Sequence, residues 1–130
     1  NEDCHVILRG GKAPNYDAAS VESACKDSAA VNMACRLMID MSHANSSKKP
    51  ENQLQVAQDI ADQLSSGERR IFGVMVESHL VGGRQDLVPG KPLIYGQSIT
   101  DGCIDWQGSL SILENLSQAV RARRLRLAAA

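Results

Sequence analysis

Three side chains in this sequence have the types that a divalent-metal site requires: His43, Glu77 and Asp101. One imidazole and two carboxylates form a mixed donor set that suits Mn²⁺, Fe²⁺, Co²⁺ or Zn²⁺. The residues lie 34 and 24 positions apart, which is too wide for a finger-like structural site. The first spacing, however, suits adjacent strand ends of a βαβ unit. A histidine or glutamate after a strand also serves often as hydrogen-bonded scaffolding, so the spacing alone leaves both interpretations open.

Arg9 is a second candidate, because Gly10 and Gly11 follow it directly. A guanidinium beside an open stretch of backbone can hold a phosphate or a carboxylate through two parallel hydrogen bonds. The alternative is an ordinary loop arginine that pairs with a surface acid. Asp40, three residues before His43, is a candidate for a hydrogen bond that orients a metal ligand.

Short apolar runs precede Arg9, His43 and Glu77 and are typical of buried strands. They span residues 5–8, 36–39 and 71–76, and each runs into polar residues. In parallel α/β proteins the active site lies at the carboxyl ends of the strands, so these polar ends are expected to meet on one side of a sheet. The third run is apolar throughout, which predicts a strand covered on both faces.

Three helices are predicted around these strands. The first begins near Tyr16 and Asp17, with Asp17 as N-cap, and ends near Ala30. The second begins at Pro50 and ends before Gly67, and the third spans about 109–126. The spacing of apolar residues predicts the inner face of each helix. These faces are Val21, Ala24, Cys25 and Ser28 in the first helix, Leu54, Ala57, Ile60, Ala61 and Leu64 in the second, and Leu110, Leu113, Leu116 and Val120 in the third.

A long loop rich in glycine and proline is predicted over residues 82–100, with a brief extended piece at Leu93–Tyr95. The predicted order of elements is therefore β-α-β-α-β-loop-α. Three strands with covering helices form either an open α/β sheet or a piece of a larger barrel.

Composition limits the classes of function. The 130 residues are 43% hydrophobic, enough for one domain, and the net charge of −1 argues against general affinity for nucleic acid or an anionic membrane. No apolar run approaches the roughly 18 residues of a membrane span. The four cysteines form no CxxC pair, so reduced thiols in a cytoplasmic protein are expected. The chain begins at Asn1, and we expect an upstream part.

Four motifs, in order, resemble the type I phospho-2-dehydro-3-deoxyheptonate aldolases, the DAHP synthases of the shikimate pathway. They are residues 6–11 (VILRGG), 39–48 (IDMSHANSSK), 73–80 (GVMVESHL) and 96–101 (GQSITD). The resemblance implies that His43, Glu77 and Asp101 match three of the family's four metal ligands. It further implies that Arg9 contacts phosphoenolpyruvate and that His43 also contacts substrate, which makes Arg9 and His43 the expected catalytic and substrate-binding residues.

The implied activity is condensation of phosphoenolpyruvate with erythrose 4-phosphate, in a cytoplasmic, metal-dependent homo-oligomer. The implied fold is a (β/α)₈ TIM barrel of about 250 residues. Residues 1–130 are expected to form one partial domain, with parallel β/α units that correspond to the last three strands and helices of the barrel. The family's fourth ligand is a cysteine in the amino-terminal part, and no cysteine here lies in such a stretch.

We therefore expect a carboxyl-terminal fragment that is inactive alone and active as part of the full-length enzyme. The main alternative is a non-catalytic interaction module that pairs with itself or with an amino-terminal partner. A related enzyme acting on arabinose 5-phosphate and a generic metal-dependent hydrolase are weaker alternatives. The Ser42–Ser46 run resembles the heptulosonate branch better, and no residue is placed as a hydrolytic nucleophile.

Overall fold

The computed structural model describes residues 4–129, and these residues form the predicted α/β arrangement of parallel strands and helices. Strands β1 (Val6–Leu8), β2 (Leu37–Asp40) and β3 (Ile71–Met75) pair in parallel in the order β1-β2-β3. Helix α1 (Ala18–Ala30) connects the first two strands. A short 3₁₀ turn (Pro50–Asn52) and helix α2 (Gln53–Ser65) connect the second and third. The predicted order of elements is confirmed over these residues.

The helix ends follow local chemistry. Asp17 caps α1 by accepting a hydrogen bond from the Ser20 backbone N–H at 3.0 Å, as predicted. Pro50 stands at the start of the turn that leads into α2, and Gly67, with a φ of 110°, follows its end. The last helix, α3 (Trp106–Ala128), begins three residues earlier than predicted, because Asp105 accepts from the Gly108 N–H and caps it.

One face of the sheet packs against the helices and forms the core. The buried apolar side chains are Leu8, Leu37, Ile39 and Ile71 from the strands, Val21 and Cys25 from α1, Val56, Ala57, Ile60, Ala61 and Leu64 from α2, Ile112 and Ala119 from α3, and Met41 and Ile104 from the connecting segments. The prediction that β3 is covered on both faces is wrong for the described residues. Phe72 is 55% exposed and Ile7 on β1 is 51% exposed, because the helices cover only the opposite face.

Three predicted inward leucines are exposed: Leu54, Leu110 and Leu113. In α2, Val56 is buried instead of Leu54. Among the described helices α3 packs mainly against α2, so only a narrow stripe of it is buried, and that stripe contains Ile112 and Ala119. Leu116 and Val120, also predicted for the inner face, are partly buried and pack against the core.

The long loop contains a second, two-stranded parallel sheet that was not predicted. It pairs β4 (Val81–Arg84) with β5 (Gln97–Ser98). The extended piece therefore lies at Gln97–Ser98 rather than at Leu93–Tyr95. The Gln85 side chain stabilises the connection, because it donates to the carbonyl oxygens of Ile94 and Gln97 and accepts from the Ile94 N–H.

The expectation of four reduced thiols is wrong: Cys25 and Cys35 form a disulfide, with their Cα atoms 5.0 Å apart. The chain reverses after α1, and this brings Cys35, just before β2, back against the buried face of α1. A separation of ten residues without a CxxC pattern gives no indication of this contact. Cys4 and Cys103 are free thiols.

Candidate metal centre

The structure brings His43, Glu77 and Asp101 together beyond the carboxyl ends of the strands. His43 lies three residues after β2, Glu77 two residues after β3, and Asp101 three residues after β5. One ligand atom from each lies within 4.8 Å of the others, and His43 Nε2 is 3.5 Å from Glu77 Oε1. His43 and Glu77 are half-buried and Asp101 is exposed. The arrangement can hold a divalent cation, and the role of the three residues as ligands stays a prediction.

Asp40 fixes the orientation of the His43 ring. It ends β2, is buried, and its Oδ2 lies 2.8 Å from His43 Nδ1. Its Oδ1 accepts hydrogen bonds from the Ser42 N–H and hydroxyl. The Ser42 hydroxyl also lies 2.6 Å from Nδ1. These contacts hold the ring through Nδ1 and direct Nε2 toward Glu77, 3.5 Å from its Oε1. His43 itself has a φ of 50°, which turns the chain back at the strand end.

Asn45 joins the ends of β1 and β2 below the site. Its buried amide donates to the carbonyl oxygens of Leu8 and Asp40, at 3.1 and 2.7 Å, and its Oδ1 accepts from the Asn15 N–H. Asn15 in turn accepts from the Gly10 N–H at 2.7 Å. Sequence reasoning assigned no role to Asn45, although a buried amide is expected to have partners of this kind.

Glu77 is held through its backbone. The fully buried Gln53, the first residue of α2, accepts from the Glu77 N–H at 2.9 Å and donates to its carbonyl oxygen at 3.0 Å. The same carbonyl oxygen accepts from the Ile104 N–H at 3.0 Å. Ile104 follows Asp101 by three residues, so these hydrogen bonds connect two of the ligand-bearing segments. Sequence reasoning did not identify Gln53.

Cys103 lies close to the acidic side of the site. Its thiol donates to the Asp101 carbonyl oxygen at 3.6 Å. Burial raises the pKa of the Cys103 thiol, and the negative charges of Glu77 and Asp101 add to that effect. Near neutral pH this thiol is therefore neutral.

Arg9 lines the same cavity as the three metal-site residues. The cavity has a volume of about 520 Å³, and its lining includes Arg9, Gly10, His43, Lys48, Glu77 and Asp101. The Arg9 Nε lies 3.6 Å from the buried Asp40 Oδ2, while most of its side chain is exposed. The partner acid is thus a buried residue of the site rather than a surface acid. Lys48, which sequence reasoning left without a role, supplies a second positive charge.

The described helices include none with the length and apolar character of a transmembrane segment.

Comparison with known proteins agrees with the family that the motifs indicate. A phospho-2-dehydro-3-deoxyheptonate aldolase of Haemophilus influenzae is 58% identical over 125 residues, which is 95% of this chain and 34% of that protein. The Phe-sensitive aldolase of Escherichia coli K12 is 51% identical over 124 residues, 35% of its length. The solved aldolase structure from Francisella tularensis superposes with a TM-score of 0.90 at 43% identity, covering 95% of this chain and 36% of that one.

The chain therefore spans about a third of the length of the curated relatives it matches. The sequence model of the DAHP synthetase I family matches residues 1–114, most of the 130 residues. This chain belongs to the DAHP synthetase I family.

Proposed function

We propose that this chain provides the metal-binding and phosphoenolpyruvate-contacting part of a DAHP synthase. The full-length enzyme would condense phosphoenolpyruvate with erythrose 4-phosphate to give 3-deoxy-arabino-heptulosonate 7-phosphate, the first step of the shikimate pathway. The convergence of His43, Glu77 and Asp101 in one cavity, in a chain of this family, is the observation that carries the proposal.

The donor set fits a divalent cation. Nitrogen and oxygen donors at about 2.0–2.2 Å from one metal lie at most about 4.4 Å apart. The candidate donors all lie within 4.8 Å of one another, so small side-chain rotations bring them into that range. One imidazole with two carboxylates is compatible with Mn²⁺, Fe²⁺, Co²⁺ or Zn²⁺. A bound cation would supply Lewis-acid activation of the aldehyde oxygen or orient an attacking water.

The remaining residues of the cavity would bind and orient the substrates. The guanidinium of Arg9 would neutralise the phosphate or carboxylate of phosphoenolpyruvate, and Lys48 lines the same cavity. His43, held through Nδ1 by Asp40, would keep Nε2 directed into the cavity. Both phosphorylated substrates are anions, which the carboxylates of Glu77 and Asp101 would repel. The positive charges of Arg9 and Lys48 would offset part of that repulsion.

We further propose that the chain is the carboxyl-terminal part of a TIM barrel, with β1 to β3 as its last three strands. The uncovered sheet face with Ile7 and Phe72 supports this, because the interior of such a barrel is filled by apolar side chains. In this arrangement other strands would cover that face and pair with the free edges of β1 and β3.

A chimera tests the function directly. In the Haemophilus influenzae aldolase, the matching third is replaced by residues 1–130, and consumption of phosphoenolpyruvate with erythrose 4-phosphate is measured with added Mn²⁺. We expect activity that a chelator removes and that His43→Ala reduces by at least about 100-fold. His79→Ala is the matched control, since it removes an exposed histidine outside the cluster. A His43→Ala chimera as active as the unmodified one would refute the proposal.

The second candidate is a non-catalytic module that associates through the open sheet face, which the exposure of Phe72 and Ile7 favours. Sedimentation of the 130-residue chain with and without a chelator separates the two. Self-association that is indifferent to the chelator, together with an inactive chimera, would favour the module.

A further inference from the structure

Gln53 occupies a position where the pattern of α2 calls for an apolar residue. It lies one turn before Val56 and Ala57 on the buried face of the helix and is 0% exposed. Burying an amide without partners costs several kcal/mol on transfer scales. A long polar side chain at such a position therefore indicates a specific set of hydrogen bonds.

Both ends of the Gln53 amide bind the backbone of one residue, Glu77. Gln53 Oε1 accepts from the Glu77 N–H at 2.9 Å, and Nε2 donates to the Glu77 carbonyl oxygen at 3.0 Å. Glu77 lies two residues past the end of β3, where the ladder with β2 has ended. The side chain of Gln53 thus supplies Glu77 with backbone hydrogen bonds that the ladder with β2 no longer provides.

Glu77 is consequently the meeting point of three segments of the site. Gln53 follows His43 by ten residues and comes directly after the 3₁₀ turn that begins at Pro50. Ile104, whose N–H donates to the Glu77 carbonyl oxygen, follows Asp101 by three. His43 and Glu77 side chains approach to 3.5 Å just beyond these bonds. A displacement of the Glu77 backbone would change this distance directly.

We propose that Gln53 is a positioning residue for the metal site: its two hydrogen bonds hold Glu77 at the separation from His43 and Asp101 that a cation requires. This inference rests on the proposed metal site. Gln53 touches neither substrate nor metal, and it acts only through the backbone of Glu77. Loss of an outer partner of this kind lowers metal affinity by about 10- to 100-fold in metalloproteins.

Mn²⁺ and Co²⁺ binding to the chimera described above tests the inference, because the family resemblance implies a fourth ligand outside this chain. Gln53→Met keeps the size of the side chain and removes both hydrogen bonds, and Gln55→Met is the matched control on the exposed face of α2. We expect at least a 10-fold higher Mn²⁺ Kd for Gln53→Met, no change for Gln55→Met, and an altered visible absorption of bound Co²⁺, which reports ligand geometry. Circular dichroism at the same temperature establishes that each variant is folded.

A purely structural role would lower the thermal midpoint of Gln53→Met but leave the Kd and the Co²⁺ spectrum of the folded protein unchanged, and that outcome overturns the inference. If Gln53→Met does not fold, Gln53→Asn replaces it, since the shorter amide does not span both groups of Glu77. Absence of saturable Mn²⁺ binding by the unmodified chimera would contradict the metal site itself, and the inference would fall with it.

Discussion

At the scale of single residues, the orientation of the His43 ring is set by its contact with Asp40. Asp40 is buried, binds His43 Nδ1 at 2.8 Å, and receives two further hydrogen bonds from Ser42. A carboxylate in this position holds one tautomer of the ring and raises the basicity of the other nitrogen. The charge of Asp40 is in turn shared with Arg9, so the candidate metal ligand and the candidate anion-binding residue are connected through one side chain.

Asp40→Asn is therefore expected to weaken metal binding without removing a ligand. The amide keeps the shape of the carboxylate but not its charge, and we expect an Mn²⁺ Kd about 10-fold higher. Calorimetric titration measures this, with Asp27→Asn, an exposed acid on α1, as control. Equal affinities for the two variants would show that His43 needs no charged partner.

At the scale of elements, the loop after β1 must pass very close to the loop after β2. Gly10 has a φ of 75°, and a Cβ built on it would lie 2.7 Å from Ala44 Cβ and 3.0 Å from the Asn45 nitrogen. The adjacent Gly11 has nothing within 4 Å of such an atom. The sequence predicted that a Cβ would be unfavourable at both glycines. The structure requires the absence of a Cβ only at Gly10.

The two glycines provide a matched test. Gly10→Ala is expected to lower the free energy of unfolding by more than about 1 kcal/mol, since it adds both a left-handed alanine and a steric overlap. Gly11→Ala is expected to change it by less than about 0.5 kcal/mol. Urea denaturation of both variants measures the difference. A Gly10→Ala protein as stable as Gly11→Ala would contradict this expectation, because the loops after β1 and β2 could then move apart without loss of stability.

At the scale of the whole molecule, the candidate site and a network of ion pairs lie at opposite ends of the sheet. Arg70 stands just before β3 and pairs with Glu68 and with Glu22 of α1, both at 2.7 Å. Arg123 of α3 donates to the Glu68 carbonyl oxygen at 2.9 Å. These contacts connect both helices to the amino end of the strands, and the candidate site lies beyond their carboxyl ends, as in parallel α/β enzymes.

This network makes stability depend on pH in a defined direction. Hydrogen bonds from Arg70 lower the pKa of Glu68 below its ordinary value, against the opposing effect of burial. The stabilisation is fully present above the unfolded-state pKa of about 4.3. It is lost as the pH falls through the lower folded-state pKa.

Glu68→Gln is expected to be less stable than the unmodified chain at pH 7, with a difference that shrinks as the pH falls below about 4. Urea denaturation between pH 7 and pH 3 measures it, and the exposed Glu51→Gln serves as control. A difference that stays constant with pH would exclude ionisation of Glu68 as its source.

The sequence alone determined the order of β1 to β3 and the three helices, and it selected the residues of the candidate site. Apolar runs of strand length, the Asp17 cap and the Pro50 and Gly67 boundaries are local signals, and they predicted local structure well. His43, Glu77 and Asp101 could be selected because the carboxyl ends of parallel strands lie at one edge of a sheet. The family motifs strengthened that selection.

Only the tertiary structure decided which polar groups support the site. Gln53 and Glu77 are 24 residues apart and Asn45 and Leu8 are 37 apart, while Cys25 of α1 is bonded to Cys35 in the loop before β2. Each of these contacts depends on how the chain returns after a helix, which no local pattern encodes. The inner face of α3 and the open face of β3 were mispredicted for a related reason, because burial depends on which neighbours an element has and not on its own sequence.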